Sequence, residues 1–237
     1  MGSNSNEPYF WGAESPRHTV YLDSYLIYQT EVTNAMYRLC VEAKVCPPPE
    51  QNGSRTRSSY FTNPQYGNYP VVYVTYADAV TYCSWAQARL PTEAEWEKAA
   101  RGTDGRLFPW GDAALQANLA NFCDAGCPNT EPAEIESMFD DGYRDTAPVG
   151  SYPAGASPYG TLDMAGNVLE WTADWIAPYS GDAQLQDPTG PATGSRRVTR
   201  GGSWFSGRSG LRASARASFA PDKTFDLLGF RCVVEAP

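Results

Sequence analysis

The chain has 237 residues, 42% of them hydrophobic and 19% charged, with 19 Pro and 21 Gly; it is long enough to bury one substantial core and dense in turns, and the even spread of apolar residues argues for a single domain over 1–237. A formal net charge of −9 without a basic run excludes nucleic acid and an anionic membrane surface as partners and favours cations and neutral ligands. No apolar run approaches the roughly 18 residues of a membrane span, so no membrane insertion is expected. The polar start Gly2-Ser3-Asn4-Ser5-Asn6 is no signal peptide, so any export signal is removed or lies upstream. Met1-Gly2-Ser3 reads either as an added leader or as an internal segment of a longer protein.

In chain order, His18 to Leu22 alternates like a strand, and Tyr25 to Tyr28 follows as a second. Thr33 or Asn34 then caps a short helix. Tyr69 to Val74 runs into Thr75, a good N-cap, and a helix is expected over Tyr76–Ala88 with Ala79, Cys83 and Ala86 on its inward face. Thr92 and Glu95 form a capping box that opens a further helix, closed by Gly102. From Phe108 to Pro158 turn formers dominate and periodicity vanishes, so this stretch needs disulfides or bound cations rather than ladders to hold it. Near the C-terminus Ala213, Ala215 and Ala217 alternate with Arg212, Ser214 and Arg216, as an amphipathic strand would. Phe230, Cys232 and Val234 are expected on the core face of a last strand.

The six cysteines are Cys40, Cys46, Cys83, Cys123, Cys127 and Cys232. None forms C-x-x-C and the chain has one histidine, which argues against a structural zinc site or a thioredoxin-type motif. Disulfides are the better reading. Six cysteines allow about fifteen pairings; proximity favours 40 with 46 and 123 with 127, leaving Cys83 for Cys232. Buried free thiols at 83 and 232 are the alternative. Disulfides imply an oxidising, extracytoplasmic compartment, whether secreted, periplasmic or at a surface.

Several ordered segments together carry a family resemblance: Glu31-Val32-Thr33-Asn34, Arg89-Leu90-Pro91-Thr92-Glu93-Ala94-Glu95-Trp96-Glu97, Phe108-Pro109-Trp110-Gly111, Met164-Ala165-Gly166-Asn167-Val168-Leu169-Glu170-Trp171, Arg200-Gly201-Gly202-Ser203-Trp204 and Gly229-Phe230-Arg231. Over almost its whole length the chain resembles the formylglycine-generating enzyme (sulfatase-modifying factor) family, a bacterial-type domain here. The resemblance implies an α+β, C-type-lectin-like fold, with small twisted antiparallel sheets, a few helices and much irregular structure. It also implies a bridge between Cys83 and Cys232.

Two calcium sites follow from the same resemblance. Calcium takes six to eight hard oxygens, and the turn Asp163 to Glu170 offers the Asp163 and Glu170 carboxylates with the carbonyls of Gly166 and Val168. By spacing alone this is as good a solvated cap; the resemblance makes it a ligand set. A second set, on the resemblance, is Asn121 and Asp141 with the carbonyls of Phe122 and Tyr143. Calcium is thus expected as a structural staple.

At the expected catalytic centre the chain departs from the family. Active members place two cysteines five residues apart just after the Gly-Gly-Ser-aromatic segment, where paired soft thiolates bind copper(I). Those positions are Ser206 and Leu211 here, and Leu169 replaces an aromatic residue, although Ser203 is retained. No copper is expected and no catalytic residue is assigned. Related domains in sulfur oxidation use non-haem iron, which needs two or three imidazoles; His18 stands alone, so this chain could serve only as an accessory domain of such an enzyme. Ser203 lacks a histidine partner and a nucleophile elbow for hydrolysis.

A non-catalytic recognition module is therefore the expected function, with an oxidoreductase of the family as the alternative. Trp204, Phe205, Ser206, Arg208, Arg212, Arg216, Phe219 and Phe225 combine aromatic and polar groups in the manner of a binding surface for a protein or small molecule. Inward packing of the rings and ion pairing of the arginines is the competing account. A monomer is expected. On the resemblance, variable proteins of diversity-generating retroelements use this scaffold with the equivalent segment diversified.

Overall fold

The computed structural model describes residues 1–10, 12–127, 134–181 and 184–236. The first two strands form where expected, β1 over Thr19–Tyr21 and β2 over Tyr25–Ile27. Helix α1 spans Asn34–Glu42, and Thr33 is its cap: its side chain accepts from the Met36 N–H at 3.2 Å. Helix α2 covers Tyr76–Trp85 with a Thr75–Asp78 capping box. It stops short of the expected Ala88 because Gln87 turns to φ 57°, after which Arg89 exchanges backbone bonds with Val233. Helix α3 covers Glu93–Arg101 under the Thr92–Glu95 box and ends on Gly102 at φ 69°, a left-handed position that favours glycine.

The remaining strands are β3 Leu169–Trp175, β4 Gln184–Gln186, β5 Arg197–Arg200, β6 Arg216–Phe219, β7 Leu228–Gly229 and β8 Val233–Glu235. The central sheet has the order β6-β5-β3-β7; β1 pairs with β4 and β2 with β8 in two smaller sheets. The pairs β2–β8, β3–β5 and β5–β6 are antiparallel, as expected, while β1–β4 and β3–β7 are parallel. Between α3 and β3 only a 3-10 turn at Pro153–Gly155 and isolated bridges occur among the described residues, as the loss of periodicity implies.

All six cysteines are bridged, 40 to 46, 83 to 232 and 123 to 127. The main core gathers Val32, Tyr37, Val71, Tyr82, Trp171 and Phe230 around the Cys83–Cys232 bridge. Smaller clusters form around Trp96 and Met164, and around Phe108, Phe122 and Leu211. The 51–69 loop is anchored by Arg57, which pairs with the buried Asp145 and lies 4.8 Å from the centre of the Tyr69 ring. No helix among the described residues is long and apolar enough to cross a membrane.

Two expectations for the C-terminal segment hold only in part, since Arg216 and Ala217 do open β6 but the residues before them do not join it. Residues 209–215 form turns rather than a strand, because the carbonyls of Ala213, Ser214 and Ala215 all accept from the Arg200 guanidinium and so cannot join a ladder. In the last strand Val233 is buried and Val234 only half-buried; Phe230 and Cys232 do face the core.

Candidate functional site

Strand β5 ends in Arg200, and the chain then reverses through Gly201 and Gly202 at φ 94° and 70°. A Cβ at Gly202 would lie 2.7 Å from the Gly210 carbonyl oxygen, so the close approach itself demands glycine. Ser203, Trp204, Phe205 and Ser206 form the next turn. The Ser203 N–H donates to Ser206 Oγ at 3.0 Å, and the Ser206 carbonyl accepts from the Cys123 N–H at 2.9 Å. Trp204 is tied by its own N–H to the Asn167 carbonyl and by Nε1 to the Asp226 carbonyl.

The eight residues expected on a binding surface divide into two groups. Trp204 is 3% exposed, Arg212 0% and Arg216 7%, which corrects their assignment as ligand contacts. Arg212 forks onto Glu14 at 2.7 and 2.6 Å, and Arg216 onto Glu93 at 2.6 and 2.7 Å; both belong to the buried frame. The half-buried Phe205, Ser206 and Arg208 remain at the surface, Arg208 bonded to Glu136 and the Tyr9 hydroxyl. Phe219 and Phe225 are half-buried as well and pack on each other at 5.0 Å. Leu211 has no exposed surface and packs with Phe108, Leu115, Phe122 and Ala165.

The residues expected to hold calcium lie in two carboxylate groups joined by Asn167. In the first, Asp141 accepts from the Phe122 N–H at 2.8 Å and the Tyr143 N–H at 2.9 Å. Burial pushes its carboxyl up to about 7, against the pull of those two bonds. The Asn121 amide donates to the Asp145 carbonyl, while its Oδ1 is buried without a donor. In the second, Asp163 takes φ 57° and accepts from the Gly150 N–H. Burial raises its carboxyl too, and that of Glu31 further, where the charge of Asp163 adds to the effect. Glu31 Oε1 accepts from Asn167 Nδ2, and Glu31 Oε2 is buried without a donor.

Glu170, expected as a calcium ligand, is largely taken up by protein donors. Oε2 accepts from Trp96 Nε1 and Arg231 Nε, and Oε1 from Arg231 Nη2, each at 2.7 Å, so one lone pair of about four is left. Gly166 is required between the two groups, since a Cβ there would sit 2.0 Å from the Asn121 carbonyl oxygen. Each group thus contains a buried oxygen that no protein donor satisfies. Such an atom is costly unless a proton or cation meets it; among the described residues no group of three or more His, Cys, Asp or Glu side chains is set to hold a metal ion, so a cation here would draw most of its ligands from carbonyls and water.

Sequence reasoning missed the acidic half of the buried frame. Glu93 and Glu97 lie one helical turn apart on α3 and pair with Arg216 and Arg200. Their i, i+4 spacing, continued by Arg101 a further four residues along the same face, was the available signal. Asp174 on β3 was also missed; it accepts from the Glu93 N–H at 2.7 Å. Burial, with Glu93 and Glu95 adding to it, pushes the Asp174 carboxyl up to about 7. A raised folded-state value means stability that is complete below the unfolded value near 4 and is lost as pH rises through about 7. Between pH 5 and pH 8 the native chain should therefore lose on the order of 2 kcal/mol relative to Asp174→Asn, which keeps the acceptor and drops the charge. Urea midpoints of both chains at the two pH values check this; parallel curves refute it.

The family described as the Sulfatase-modifying factor enzyme 1-like domain matches residues 1–236. The chain is 36% identical over 279 residues to a formylglycine-generating enzyme of Streptomyces coelicolor, an alignment covering 100% of this chain and 86% of that protein. It is 40% identical over 174 residues to the formylglycine-generating enzyme of Mus musculus, covering 71% of this chain but 45% of the mouse protein. Among solved structures, Treponema denticola variable protein 1 superimposes with a TM-score of 0.73 at 27% identity, covering 99% of this chain and 91% of that one.

Proposed function

The chain belongs to the family of sulfatase-modifying factor enzyme 1-like domains, and we propose that it works there as a monomeric recognition module rather than as an enzyme. One observation carries this reading: every cysteine is bridged, and at the two positions where the family resemblance places the copper thiolates, Ser206 is tied into a turn and Leu211 into an apolar cluster. Copper(I) needs soft ligands, and neither side chain is one. The lone histidine, His18, is engaged through Nδ1 with the Pro16 carbonyl at 2.9 Å and gives an iron centre at most one ligand.

The recognition surface in this reading is Phe205, Ser206 and Arg208, continued by Phe219 and Phe225. Half-exposed rings, with the Arg196 guanidinium 5.9 Å from the centre of Phe219, suit a protein or small-molecule ligand. Likeness to a protein named variable protein 1 supports a segment 204–228 that tolerates diversification, as in the variable proteins of diversity-generating retroelements. Three disulfides accord with an extracytoplasmic site of action.

Because the Streptomyces and mouse relatives are named as enzymes, the test is direct. The purified chain should neither retain copper(I) in a competition titration nor raise oxygen uptake in the presence of a cysteine-containing peptide and reductant. Stoichiometric copper(I) binding or peptide-dependent oxygen consumption would replace this reading with an oxidoreductase.

Calcium is part of the proposal. When bound, it would supply positive charge to the Asp141 and Asp163 groups, with Asn121 Oδ1 and the carbonyls of Phe122, Tyr143, Gly166 and Val168 completing the shells. A ligand at about a hundred times its dissociation constant adds about 2.7 kcal/mol to the folded state, which for a chain of this size is a rise in Tm of roughly 5–10 °C. Calorimetry with calcium and then with excess chelator should show that fall; an unmoved Tm would rule out calcium as a staple.

A further inference from the structure

We propose that the outer edge of β2 is a docking strand for an extended peptide segment of a partner protein that carries an acidic side chain between apolar ones. The site is separate from the surface at 205–208 and holds whether or not that surface binds a ligand.

The parity of the ladder decides which backbone groups face outward. Val233 donates its N–H to the Arg89 carbonyl at 2.8 Å and accepts the Arg89 N–H at 2.9 Å, so both of its backbone groups turn away from β2. Ile27 lies opposite Val233, and Tyr25 opposite Glu235. Both pairs are therefore of the non-hydrogen-bonded kind, and the N–H and C=O of Tyr25 and Ile27 point to the outer side. Among the described residues β2 has no other strand neighbour.

The chain itself begins to fill that edge and then stops. Gln29, the next residue of the same parity, already accepts the Leu162 N–H at 2.8 Å. From there the chain departs through Thr161 and Tyr159, leaving a groove of 440 Å³ between β2, Lys98 and Ala99 of α3, and Tyr159–Thr161. That volume suits a bound segment of a few residues.

The side chains around the groove define its occupant. Tyr25 and Ile27 close the floor, Tyr25 through its hydroxyl on the Glu95 carbonyl at 2.7 Å and Ile27 against the Trp96 cluster. Leu26 and Tyr159 stand on the rim, 57% and 56% exposed. The lining carries two charged side chains, Asp23 just before β2 and Lys98 in the last turn of α3, and Lys98 forms no ion pair among the described residues. An incoming strand would pair with the two outward N–H and two outward C=O groups, as in strand addition to a sheet edge. Its apolar residues would meet the rim and its carboxylate would meet Lys98. A three-residue edge is too short to template aggregation of the chain with itself, yet offers a complete hydrogen-bonding register to a short peptide.

The test uses the full chain labelled with nitrogen-15 and the blocked peptide acetyl-Thr-Val-Glu-Val-Thr-amide. Saturable binding should shift the Tyr25 and Ile27 amides and slow their hydrogen exchange by about tenfold or more, with little change at Leu26, whose N–H is already in the ladder. Replacing the peptide's Glu by Lys should weaken binding about tenfold, and Lys98→Glu in the chain should reverse that preference. No saturable shift at millimolar peptide overturns the proposal, as does equal protection of Leu26 and its neighbours, or undiminished binding by a peptide with methylated backbone nitrogens. An affinity indifferent to Lys98→Glu overturns the acidic character assigned to the partner.

Discussion

Replacing both Cys83 and Cys232 by alanine should cost about 5 kcal/mol of folding stability, whereas the same double replacement at Cys123 and Cys127 should cost about 2. The difference comes from the unfolded chain. The first bridge spans 149 residues and the second only 4, and the loop-closure entropy that a bridge removes grows with the logarithm of its span. Packing acts in the same direction, since Cys83 and Cys232 are fully buried among Tyr37, Tyr82 and Phe230 and alanine leaves a gap there. The bridge also fixes α2 to the segment just before β8, which is the strand that β2 pairs with. Urea unfolding of the two double variants under non-reducing conditions gives the comparison, and strong reductant should erase most of the wild-type advantage. Equal losses in the two variants would mean that the entropic account fails for this chain.

What was legible in the sequence was local or carried by many ordered matches. The caps at Thr33 and Thr75 and the box at Thr92 involve partners three residues away, so the pattern contains its own cause. The stretch after Phe108 lacks any period, and among its described residues it forms almost no regular structure. Arg212 and Arg216 show where this reasoning stops. Their alternation with alanines has the period of a half-exposed strand, yet both are buried, because Glu14 and Glu93 neutralise them from positions 198 and 123 residues away. Charge pairing at that range leaves no local period, and a buried arginine looks like a solvated one until its carboxylate is known. The residues proposed to hold calcium stand between these cases. Asp141 and Asp163 could be named from the family resemblance, whereas the unsatisfied oxygens of Asn121 and Glu31 emerge only when donors are counted in three dimensions.

Arg231→Met should destabilise the chain by about 3–5 kcal/mol, more than neutralising its partner does. Arg231 is fully buried and uses all five of its donors: two on Glu170, and the others on the carbonyls of Tyr28, Gln29 and Leu162. Its removal takes a donor from three carbonyls, of which that of Gln29 keeps the Leu162 N–H, and leaves Glu170 charged and buried, held only by Trp96. The same substitution takes away the positive charge that opposes the burial of Glu31 and Asp163. Combining it with Glu170→Leu should recover part of the loss, since no uncompensated charge then remains at position 170. Calcium separates two accounts of this cluster. If a cation occupies the Asp163 group, millimolar calcium should rescue Arg231→Met further than it stabilises the native chain, because the ion supplies the charge the variant lacks. Equal gains in both chains, measured by urea midpoint with and without chelator, would show that Arg231 alone balances these carboxylates.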